Sequence, residues 1–107
     1  MEFFTTDLDG LTEINPTKAR RREILQSVLE DCDADYPEVY LTIRNGPVIG
    51  YRQDGCLLWE EAGVVVRILP RVDLKEAQQA WSRAITGNWP ALEALPWRDM
   101  KEQEDSP

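Results

Sequence analysis

Three carboxylates at alternate positions, Asp31, Asp33 and Asp35, and two beside an indole in Trp59-Glu60-Glu61 are the groups whose types and spacing could do chemistry. The aspartates match the opening of a calcium loop, but such a loop also needs glycine at its sixth position and glutamate at its twelfth. Tyr36 and Thr42 stand there, which rejects calcium. The chain has no histidine, the commonest transition-metal ligand and the usual partner of a serine or cysteine nucleophile. Its two cysteines, Cys32 and Cys56, cannot make a zinc site of the usual kinds without histidine. No pair of carboxylates can be assigned to acid–base work. Recognition is what remains, and the expectation is a protein with no catalytic residue, no metal and no cofactor.

Length and composition set the frame for those groups. A chain of 107 residues, 42% apolar and 30% charged, predicts one folded domain over residues 1–107. The formal charge of −8 argues against direct binding of nucleic acid or of an anionic membrane surface. No apolar run approaches the ~18–20 residues of a membrane span. Met1-Glu2-Phe3-Phe4 lacks the basic, then apolar start of a secretory signal, and two cysteines suit a reducing cytoplasm better than a disulfide framework. A cytoplasmic location is expected.

The elements that must position the candidate groups follow from periodicity. Residues 1–14 predict an edge strand or a packed arm. Asn15-Pro16 reads as the N-cap and first position of a helix over Pro16–Asp31, with Ala19, Ile24, Leu25, Val28, Leu29 and Cys32 on one stripe. After Pro37 the period becomes two, and strands follow through Leu69, with turns at Asn45-Gly46, Asp54-Gly55 and Glu61-Ala62-Gly63. Asp73 and Glu76 form a capping box for a helix over Leu74–Thr86, which carries Leu74, Ala77, Trp81, Ala84 and Ile85 inward and ends before Gly87. Residues 100–107 are polar and expected to fray. The predicted class is α+β, two-layered, with an antiparallel four-strand meander and both amphipathic helices on one face.

The first helix carries its charges against the macrodipole: Lys18, Arg20, Arg21 and Arg22 at its start, Glu30 and Asp31 at its end. Two readings stand side by side, a solvated surface or an acidic cluster retained because a basic partner docks on it. The four basic residues also admit a small phosphate-binding patch. Trp59 reads either as an interface anchor at a strand tip, steered by Glu60 and Glu61, or as a core tryptophan. Trp81 reads as core, while Trp89 and Trp97, each beside a proline, are expected to staple the tail to the body. Cys32 falls on the apolar stripe, and Cys56 has no basic neighbour in sequence to activate it.

The run Val72-Asp73-Leu74, Glu76-Ala77, Ala80, Thr86-Gly87, Pro90 and Trp97 resembles the carboxyl-terminal signature of a family of small bacterial immunity proteins that neutralise polymorphic toxins. The family pattern has an arginine where Trp89 stands, and a shorter gap between its proline and tryptophan. The resemblance implies an α+β fold with a strand meander before the final helix, and a bacterial toxin domain as partner. Charge implies the same partner independently, since nuclease active sites are basic and their inhibitors acidic. The expected partner-binding residues are Asp31, Asp33, Asp35, Trp59, Glu60 and Glu61. The alternative is an acidic chaperone for secreted effectors, acting as a homodimer and keeping an apolar groove exposed. Protein purified without chelators should contain no stoichiometric zinc, iron or copper by elemental analysis; a stoichiometric metal would overturn the ligand count on which this reading rests.

Overall fold

A computed structural model describes residues 2–30 and 38–100. The alternation after residue 37 forms β3 (Glu38–Ile43), β4 (Val48–Arg52), β5 (Leu57–Glu61) and β6 (Val64–Leu69), the expected antiparallel meander. The sheet is larger than four strands. The amino-terminal segment folds as a hairpin of β1 (Phe3–Thr6) and β2 (Thr12–Ile14), and β1 pairs with β3. A short β7 (Arg98–Asp99) closes the other edge on β6, giving the order β2-β1-β3-β4-β5-β6-β7. Sequence reading assigned four strands to the meander and an edge strand or packed arm to residues 1–14; β2 and β7 span three residues and two, too short for an alternation to register.

Side-chain parity divides the sheet. Val39, Leu41, Ile43, Ile49, Tyr51, Leu57, Trp59 and Leu69 share one face and one core cluster with residues of all three helices. From α1 (Lys18–Glu30) come Ile24, Leu25 and Val28; from α2 (Leu74–Ile85) come Ala77, Ala80, Trp81 and Ala84; from α3 (Trp89–Glu93) comes Leu92. Of the predicted stripe on α1, Ala19 and Leu29 are exposed and Cys32 lies outside the described residues. Trp81 is wholly buried and donates its indole N–H to the Ile49 carbonyl on the middle strand at 3.0 Å. Tyr51 donates its hydroxyl to the Val72 carbonyl at 2.6 Å, while the Val72 N–H bonds Gly55 O at 2.9 Å. Those two bonds fix the connection between sheet and α2 against the β4–β5 turn.

Caps and turns differ from expectation in instructive ways. Asn15 is not the cap of α1. It sits at φ 48° and its side chain accepts from Phe3 N–H, closing the first hairpin, while Thr17 Oγ1 caps α1 by accepting from Arg20 N–H at 3.1 Å. Asp73 caps α2 as predicted, accepting from Glu76 N–H. Asn45-Gly46 is not a type I′ turn: Ile43 O accepts from Gly46 N–H, and of the pair Asn45 alone has a positive φ. Pro47 is the reason, because a residue before proline is steered to extended backbone. The two-residue turn with both φ positive lies instead at Ala62 (53°) and Gly63 (78°) between β5 and β6. A left-handed alanine costs about 1–2 kcal/mol. Replacing Ala62 by Asn, the residue such turns favour, should raise unfolding stability by roughly 0.5–1 kcal/mol in chemical denaturation, and Ala62→Val should lower it.

Candidate functional site

The structure sets Trp59 and Glu60, two of the residues expected to form one acidic surface, on opposite faces of the sheet. Asp31, Asp33 and Asp35 lie outside the described residues. Trp59 is 3% exposed, in the core, so the expected exposed anchor is corrected. It stands within β5, two residues short of the turn, at a position whose parity faces the helices. Two further tryptophans enclose its ring edge-on, Trp97 at 5.4 Å between centroids and Trp89 at 6.3 Å, and the Arg67 guanidinium lies 5.0 Å from its centroid. Trp97 also donates to Leu92 O, so the expected staple of the tail is present and Trp59 is what it closes on. The Trp59 indole N–H donates to the exposed Glu61 at 3.2 Å. Glu60 has the opposite parity and faces away from both.

Glu60 belongs to the sheet face that the helices leave uncovered. Cross-strand pairing aligns Ile14, Phe4, Thr42, Val48, Glu60 and Val65 in one row there. The next row holds Thr6, Tyr40, Gly50, Leu58 and Ile68. The Tyr40 ring lies over Gly50, where an added Cβ would stand 3.0 Å from two ring carbons, and the Tyr40 hydroxyl donates to the Glu38 carboxylate. Burial among these side chains pushes the Glu60 carboxyl above the usual carboxylate range, and the charge of Glu38 pushes it further. Tyr40 and Glu38 are the residues that sequence reading missed; a strand glycine opposite an aromatic was the available signal.

The basic residues of α1 part company. Arg20 is tied to Glu13 at 2.8 Å, Glu23 at 3.4 Å and Asp7 at 3.8 Å. Arg21 lies against the Phe3 ring and donates to Pro16 O, and its burial lowers its pKa. Lys18 and Arg22 turn instead to a groove of about 770 Å³ between α1 and α2, where Lys75 and Arg83 meet them from α2. None of these four cations has an ion-pair partner among the described residues. Gln78, Gln79 and Ser82 line the groove between them, with Asp73 and Leu74.

Cys56 is buried in the β4–β5 turn, and burial together with Asp54 raises its thiol pKa, so it is poorly placed to react. Among the described residues no cluster of metal-ligating side chains forms, and no helix is long and apolar enough to cross a membrane. No family model, no curated protein and no solved structure matches this chain. With Trp59 in the core, Trp59→Ala should cost about 3–5 kcal/mol of folding stability in denaturant titration, and Trp59→Phe markedly less. Undiminished stability in Trp59→Ala would contradict its placement.

Proposed function

We propose that this chain is a bacterial immunity protein that binds a toxin domain in the cytoplasm and neutralises it by occlusion. The toxin docks on the uncovered sheet face around Glu38, Tyr40 and Glu60. The observation that carries this reading is that Glu38 and Glu60 share the uncovered sheet face, with Tyr40 bonded to Glu38, and neither carboxylate has an ion-pair partner among the described residues. Folding alone would replace Glu60 with an amide or an apolar residue, whereas a basic partner supplies the missing charge. Glu38 follows directly on the segment holding Asp31, Asp33 and Asp35, and these steer the same partner. Tyr40, half-buried on that face, takes the anchoring role first expected of Trp59. The resemblance of Val72–Trp97 to immunity proteins names the class of partner. A chaperone of unfolded effectors is the second reading, favoured by the apolar side chains Ile14, Phe4, Val48 and Val65 on the same uncovered face, and the carboxylates among them favour a basic folded partner over it.

The test exploits a conflict between stability and binding. A carboxyl whose folded-state pKa is raised makes the folded protein bind more protons than the unfolded chain. Stability should therefore fall as pH rises from ~4.3, the unfolded value, through the raised value of Glu60. Glu60→Gln should remove that slope and be more stable than the parent at neutral pH. The same variant should associate with the toxin more slowly, with an on-rate less sensitive to salt, and should protect co-expressing cells less. Tyr40→Ala should act chiefly on the off-rate. Full protection by Glu60→Gln and Tyr40→Ala, with salt-independent association, would refute docking on this face.

A further inference from the structure

The groove between α1 and α2 is a second site, and we infer that it binds a phosphate-bearing small molecule of the nucleoside-polyphosphate class. It belongs to the helical layer, on the other side of the sheet from the Glu38–Glu60 face, and does not depend on the immunity reading. Three observations carry it. The groove has the volume of a small-ligand site, about 770 Å³. Its four cations come from both walls, Lys18 and Arg22 one turn apart on α1 and Lys75 and Arg83 eight residues apart on α2, a span of about 12 Å along that helix. All four lack ion-pair partners among the described residues, although acidic residues outnumber basic ones in the whole chain by 20 to 12.

The neighbours of those cations show that pairing was available. Arg20, on the same helix, is held by three carboxylates, while Lys18 and Arg22 have no ion-pair partner among the described residues at a helix start that has no acidic residue in its first turn. Positive charge there opposes the macrodipole, so these groups are not explained by the stability of α1. Arg22 and Arg83 offer planar forks suited to phosphate, and Lys18 and Lys75 offer point charges. Gln78, Gln79 and Ser82 supply neutral donors and acceptors between the charged ends. Asp73 uses Oδ1 to cap α2, which leaves its other oxygen for a hydroxyl such as those of a nucleoside's sugar, a group that a polyglutamate segment does not carry. The half-buried Leu74 gives a ring an apolar surface.

Isothermal titration in low-salt buffer tests the inference on the whole chain, with tripolyphosphate, a nucleoside triphosphate and a pentaglutamate peptide as probes. Both phosphates should bind one to one, with affinity falling as salt rises. Tighter binding of the nucleoside triphosphate would place its nucleoside against Leu74 and Asp73, and equal binding would identify the polyphosphate chain as the recognised group. The double variant Arg22→Gln/Arg83→Gln should bind at least roughly tenfold more weakly while keeping its circular dichroism spectrum. Arg44→Gln, at an exposed cation paired with Glu2 outside the groove, should bind as the parent does. No binding by the parent at millimolar probe, equal binding by the double variant, or pentaglutamate binding tighter than either phosphate would overturn the proposal.

Discussion

The contact on which the rest of the molecule depends is the indole of Trp81 against the middle of the sheet. Its ring is wholly buried, and its N–H finds the one kind of partner available at the centre of a sheet, a backbone carbonyl, that of Ile49. An indole N–H buried without a partner would cost about 1–3 kcal/mol, so α2 is held in rotation and in height as well as by apolar contact. Ala77, Ala80 and Ala84 let that helix lie close to the strands. Once α2 is fixed, α3 and Leu92 follow, and Trp97, bonded to the Leu92 carbonyl, covers Trp59. Trp59 on β5 is thus covered by elements that follow from the docking of α2 on β4.

The same docking sorts charge. Four basic residues fall between positions 18 and 22, and no local rule distinguishes them, yet they end in three environments. Arg20 ties the first hairpin and α1 together through Glu13 and Asp7, Arg21 lies on Phe3, and Lys18 and Arg22 reach solvent beside α2. The helical spacing of about 100° per residue does this sorting, because adjacent side chains leave a helix on different sides. What lies on each side is decided by the hairpin and by α2, both distant in sequence.

The two sides of the sheet carry opposed chemistry. The helical side presents a groove of cations that have no ion-pair partner among the described residues, and the open side presents Glu38, Tyr40 and Glu60 in a half-buried apolar setting. Residues 31–37 and 101–107 hold six of the twenty acidic residues and one of the twelve basic ones, so the described body is far closer to neutral than the whole chain. Net charge alone therefore describes neither surface.

Local chemistry by itself determined the elements: the period of two in β3 to β6, the capping aspartate of α2, the tryptophans of the tail as staples, and Trp81 as core. Each is set by residues a few positions apart. Strand ends, turn types and the shortest strands were less legible, because Pro47 and Asn15 act on neighbours in ways that a turn or cap motif does not contain. The candidate sites were the least legible. Trp59 and Glu60 adjoin in sequence and face opposite sides of a sheet, while Glu60 and Glu38, or Arg22 and Arg83, are far apart along the chain and come to one face or one groove only through strand order and helix docking. A surface is a property of packing, and packing is settled by the burial of Trp81 and its neighbours, whatever charges happen to be carried outward.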